Sequence, residues 1–175
     1  MQTTVALASP RQASPSAAAP DDELGRFLSE RRLIDTTEGS RLADEIVAHA
    51  VGFLGVPYQR GGNSWETGFD CSGFVRAIFE QSTGLLLPRR AAEQAAATSL
   101  IDRDDLQPGD LVFYDTLRSA YSHVGIYIGQ GRFIHSPKPG AEVRIEDMGD
   151  RYWVRRFNGA RRVLASEMAA PTKSR

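Results

Sequence analysis

The chain has 175 residues, 41% apolar and 25% charged, which suits one globular domain with a real hydrophobic core. With a formal net charge of -1 nothing points to nucleic acid as a partner, and a single cysteine excludes an internal disulfide. No apolar run approaches the ~20 residues needed to span a bilayer.

Residues 1–20 are rich in Ala, Ser, Thr and Pro, with Arg11 as the one charged side chain, and read as a disordered tail or a trimmed export leader. Ala6-Leu7-Ala8 has the small-x-small pattern of a cleavage site. Residues 21–39 form a helical extension, in which Leu24, Phe27, Leu28 and Leu33 mark a short amphipathic helix from Asp21 to Ile34 and Thr36 to Gly39 a break. A longer helix is expected from Ser40, with Leu42, Ile46, Val47, Ala50, Val51 and Leu54 on one stripe and His49 off it, at the surface. Gly55 and Pro57 stop it.

Tyr58 to Phe69 is loop, followed at once by helical spacing in Phe74, Val75, Ile78 and Phe79. Asp70 is a good N-cap, which puts Cys71 in the first helical turn, where unpaired N–H groups and the positive end of the dipole favour a thiolate. Gly73 permits close backbone approach. Thr83-Gly84 ends the helix, and Ala91 to Thr98 is a further one. Strands are expected over Asp110 to Asp115, Ser122 to Gly129 and Arg132 to Ser136, with a hairpin loop at Leu117 to Ser119 and a tight turn at Gln130-Gly131. Shorter strands follow at Val143 to Ile145 and Arg161 to Leu164. Helices first and then a strand meander predict an α+β domain over residues 40–165, with a loose tail over 166–175.

A cysteine nucleophile needs an imidazole to take its proton. His123 and His135 lie twelve residues apart across a tight turn, so adjacent antiparallel strands bring them to one end of the sheet. Spacing alone leaves open which is base and which orienter. A zinc site built from Cys71, both histidines and Asp70 or Asp115 is the alternative, although no standard ligand spacing is present.

Asp70-Cys71-Ser72-Gly73-Phe74-Val75, then Ser122-His123-Val124-Gly125-Ile126-Tyr127-Ile128-Gly129, then Phe133-Ile134-His135-Ser136 resemble the NlpC-type cell-wall cysteine peptidases of the papain-like group. Pro57-Tyr58-x-x-Gly61-Gly62 and Gln107-Pro108-Gly109-Asp110-Leu111-Val112-Phe113 extend the resemblance over Ser40 to Leu164. It implies a papain-like α+β fold with N-terminal helices packed on an antiparallel sheet. It also implies Cys71 as nucleophile, His123 as general base and His135 as orienting residue. Tyr58, Asp70, Ser72 and Ser122 become candidate substrate or oxyanion residues, alongside the backbone N–H of Cys71. The implied reaction is D,L-endopeptidase cleavage of peptidoglycan stem peptides, at the γ-D-glutamyl–meso-diaminopimelate bond, through an acyl-enzyme thioester. No cofactor or metal is implied, the partner is the stem peptide, and the chain is expected as a monomer in the bacterial envelope or secreted. A secreted antibacterial amidase and a non-catalytic binding module are the alternatives; intact Cys71, His123 and His135 argue against the second. Where the family often has Pro-Arg-x-Ser-x-x-Gln, this chain has Pro88-Arg89-Arg90-Ala91-Ala92-Glu93-Gln94, which removes one hydroxyl.

Overall fold

The computed structural model describes residues 21–164, with side chains from residue 37 onward. The tails expected over 1–20 and 166–175, and the apolar stripe of Leu24, Phe27, Leu28 and Leu33, lie outside what is described. The chain divides into two units, Met1–Thr36 and Thr37–Arg175. The backbone from Asp21 to Gly52 is one continuous helix, α1, without the expected break at Thr36 to Gly39. Weak helix formers there cost about 0.5–1 kcal/mol each, and a ladder already formed on either side carries the chain across them. In the second unit, Ile46, Ala50 and Phe53 face the core, whereas Val51 and Leu54 of the expected stripe are exposed. His49 is exposed and meets Ser82 Oγ through Nδ1 at 2.7 Å.

Two short strands, β1 (Asn63–Ser64) and β2 (Gly68–Phe69), pair within the segment expected as loop. Helix α2 (Cys71–Thr83) starts behind the Asp70 cap and ends at Gly84, whose φ of 72° closes the last turn. Helix α3 (Ala91–Ala96) follows, with Ala91 packed into the core, and then β3 (Ser99–Ile101), which the sequence did not suggest.

The main meander is β4 (Leu111–Tyr114), β5 (His123–Gly129), β6 (Arg132–His135) and β7 (Arg144–Asp147). A short helix, α4 (Arg151–Val154), leads into β8 (Phe157–Arg162). The sheet order is β3-β8-β4-β5-β6-β7, antiparallel throughout. The last strand therefore starts earlier than Arg161 and lies inside the sheet, beside β4. Arg162 anchors it by gripping Asp110 with Nε and Nη2 at 2.8 and 2.7 Å, just before β4 begins.

Helix α2 packs on β5, which gives the α+β arrangement anticipated from the sequence. Phe74, Val75, Ile78 and Phe79 of α2 share one cluster with Leu111, Phe113, Val124, Ile126 and Ile134 of the sheet. The opposite face is covered as well: Val112, Tyr114, Phe133 and Met148 pack with Trp153 of α4. Strand β4 is buried on both faces, so it reads as an unbroken apolar run instead of an alternation.

Candidate active site

The site begins at the start of α2. Asp70 caps it by accepting the Gly73 N–H at Oδ1, 2.8 Å away, and takes the Gly61 N–H at Oδ2, 3.1 Å away. Arg89 grips the same carboxylate with both ends of its guanidinium, at 2.9 and 2.6 Å, and also donates to Ser72 Oγ at 3.0 Å. Asp70, a candidate substrate residue by sequence, thus spends its polar atoms holding the helix start to the 61–62 loop, and Ser72, another, bonds to Asp70 and Arg89. Gly73 has a packing reason: a Cβ there would run into the Gly62 carbonyl oxygen. Ser136, at the end of β6, donates to Phe69 O at 2.7 Å and ties the cysteine loop to the sheet.

Cys71 is a free, half-buried thiol. Burial pushes it up to about 11, against the pull of the Val124 N–H beside its sulfur; the Asp70 charge adds to the rise, and the N–H groups of Ser72 and Cys71 oppose it. The dipole-stabilised thiolate expected from the helix position is therefore outweighed by desolvation at rest. Val124 directly follows His123, so the sulfur sits at the end of β5 that carries the histidine. Tyr58 is partly exposed, and its hydroxyl is pushed up by burial and by Cys71 and Asp70.

The two histidines meet as the tight turn suggested: His123 Nε2 lies 2.7 Å from His135 Nδ1. Both are buried, with the His123 ring stacked on Trp153 at 5.7 Å between centroids and His135 set edge-on to the same indole. Burial, and then the neighbouring imidazole, hold His123 well below the usual histidine range. Burial lowers His135 too, opposed by Glu146. A missing side chain makes the pair fit: a Cβ on Gly125 would lie 2.7 Å from the Phe133 ring and 3.2 Å from the His135 Cβ. Ser122, the remaining candidate substrate residue, accepts the N–H groups of Thr116 and Leu117 at 2.9 and 3.2 Å and pins the β4–β5 loop.

Two side chains beside the site were not anticipated. Arg89 entered the sequence only as the arginine of the Pro-Arg-x-x-x-x-Gln motif, and nothing local tied it to Asp70 nineteen residues earlier. Glu146 reaches His135 Nε2 with Oε2 at 2.8 Å and Arg144 Nη2 with Oε1 at 2.8 Å. The expected strand stopped at Ile145; one more residue would have put Glu146 in a strand, on the face of Arg144. Among the described residues, no group of three or more His, Cys, Asp or Glu side chains is arranged to hold a metal ion.

The model of the NlpC/P60 family matches residues 55–162. Murein DD-endopeptidase MepH of Escherichia coli (strain K12) is 43% identical over 114 residues, 63% of this chain and 42% of that protein. Gamma-D-glutamyl-L-lysine dipeptidyl-peptidase of Bacillus subtilis (strain 168) is 36% identical over 142 residues, 80% of this chain and 47% of that protein. The crystal structure of an NlpC/P60 family protein from Bacillus cereus ATCC 10987 superposes with a TM-score of 0.63 at 38% identity, covering 69% of this chain and 39% of that one. This chain thus spans less than half the length of these relatives.

Proposed function

Because the chain belongs to the NlpC/P60 family, we propose that it is a cysteine endopeptidase acting on peptidoglycan, with Cys71 as nucleophile, His123 as general base and His135 as its orienting partner. The observation that carries this reading is the 2.7 Å bond between His123 Nε2 and His135 Nδ1, which leaves His123 Nδ1 for the thiol at the end of β5 where Cys71 lies.

The chemistry follows from the protonation states. Cys71 is a thiol and His123 a neutral imidazole, so the proton moves from Sγ to His123 as the sulfur attacks the scissile carbonyl. The tetrahedral oxyanion is met by the Cys71 N–H at the helix start, with the Tyr58 hydroxyl beside it. Collapse breaks the C–N bond, the imidazolium protonates the leaving amine, and a thioester remains. Water then attacks, giving its proton to His123, and releases the carboxylate and the thiol. Asp70, Ser72 and Ser122 serve by fixing the loops around this centre.

The scissile bond we assign is the γ-D-glutamyl bond of the stem peptide. The names of the relatives divide between such a bond and a D,D-bond, so cleavage of the D,D-cross-link is the second reading. Peptidoglycan lies outside the cytoplasmic membrane, and a substrate there supports a location in the envelope or among secreted proteins. Among the described residues, no helix is long and apolar enough to cross a membrane. Digestion of purified muropeptides followed by mass spectrometry tests the proposal. γ-D-Glutamyl products are expected, with activity lost at least about 1,000-fold in Cys71→Ala while the melting temperature is kept. Products of D,D-cleavage alone would transfer the assignment to the second reading. Undiminished hydrolysis by Cys71→Ala would overturn the mechanism.

A further inference from the structure

We propose that Glu146 is a positioning residue of this site: it sets the tautomers of both histidines and thereby makes Nδ1 of His123 the nitrogen that takes the thiol proton. The inference rests on the catalytic reading of Cys71, His123 and His135.

Strand register puts Glu146 within reach. In the β6–β7 pair His135 faces Arg144 and Phe133 faces Glu146, so Glu146 is a diagonal neighbour of His135 on the same face of the sheet. Its two oxygens divide their work, Oε2 to His135 Nε2 and Oε1 to Arg144 Nη2, each at 2.8 Å. Partial burial opposes its ionisation, but the bond to His135 and the guanidinium of Arg144 prevail and hold the carboxyl below its usual range. An ionised carboxylate can only accept, so His135 carries its proton on Nε2. Buried and neutral, His135 then has a bare Nδ1, which must accept from His123 at 2.7 Å. His123 in turn carries its proton on Nε2 and keeps the Nδ1 lone pair free. Every donor in the chain points toward Glu146.

Without Glu146 the opposite tautomer of His135, protonated on Nδ1, becomes equally allowed. It would force His123 to present a bare Nε2 to His135 and a protonated Nδ1 to the thiol, which is the wrong form for a base. The carboxylate also stabilises positive charge on the histidine pair once the thiol proton has moved. Other groups facing it are His135, Arg144 and the Tyr114 hydroxyl. Arg144 is half exposed, and Tyr114 is neutral, pushed far above its usual range by burial. The carboxylate is thus the one anion among them that answers the imidazolium.

Two measurements test this, the first needing no substrate. Long-range proton–nitrogen NMR of the 15N-labelled protein is expected to show both histidines as Nε2–H tautomers, and Glu146→Ala to move His135 toward Nδ1–H. In muropeptide hydrolysis, Glu146→Ala is expected to lower kcat about 10- to 100-fold with KM within about twofold. Its acid limb of kcat/KM should move to lower pH, because a base deprived of its carboxylate is harder to protonate. Glu146→Gln, of the same shape without charge, should move that limb the same way, and it decides the matter if the alanine variant does not fold. A folded variant with both tautomers kept and the acid limb in place would overturn the proposal, since a merely structural role leaves both unmoved. A wild-type chain that never cleaves muropeptides would defeat the catalytic reading instead, while the NMR experiment would still judge the role of Glu146.

Discussion

At the scale of single residues, the protonation of Cys71 decides how the proposed chemistry starts. A cysteine behind an N-capping aspartate suggests a ready-made thiolate, yet half-burial of the sulfur and the Asp70 charge push it up to about 11. Burial also holds His123 neutral, so the resting pair is thiol and imidazole, and ionisation accompanies attack. Alkylation of Cys71 by iodoacetamide should accordingly be slow at pH 6 and rise about tenfold per pH unit up to at least pH 9. A rate that is already at its plateau below pH 7 would mean a thiolate–imidazolium pair preformed at rest.

At the scale of elements, the start of α2 owes its position to a pair that the helix does not contain. Arg89 bridges both oxygens of Asp70, and Asp70 in turn caps α2 and holds the Gly61 N–H. Arg89→Ala leaves a largely buried carboxylate with two backbone donors but no cation. We expect a loss of about 2 kcal/mol in denaturant titrations, together with slower hydrolysis as the nucleophile shifts. Arg89→Lys should recover less than half of this stability, because an ammonium cannot span two carboxylate oxygens as a guanidinium does. Full recovery by lysine would show that charge alone suffices there.

At the scale of the whole molecule, the buried histidine pair makes stability depend on pH. In the unfolded chain a histidine titrates near 6.5, whereas burial keeps His123 and His135 lower in the folded protein. Between those two values the unfolded state binds more protons, so stability falls as the pH drops below about 6.5 and levels off only beneath the folded-state values. The melting temperature should therefore be highest above pH 7 and decline from pH 6.5 to 5. His123→Phe, which suits the aromatic surroundings of Tyr114, Phe133 and Trp153, should flatten that decline. An equal slope in this variant would place the titrating groups elsewhere.

Whatever rests on local pattern is legible in one dimension. The helix behind Cys71 is written in its 3.6-residue period and its cap, and β4 to β6 in apolar content and a tight turn. The strand–turn–strand spacing of His123 and His135 is enough to bring the pair together. Whatever depends on neighbours far along the chain is set only when the fold closes. Strand β8 is a polar run, Phe157–Arg162, that becomes a strand because β3 and β4 flank it and Asp110 receives Arg162. The bonds from Arg89 to Asp70, Ser136 to Phe69 and Glu146 to His135 exist only once loops close and registers are set. The state of the cysteine belongs with them. A helix position is legible in one dimension, but desolvation is a property of everything packed around a group, and here it outweighs the dipole.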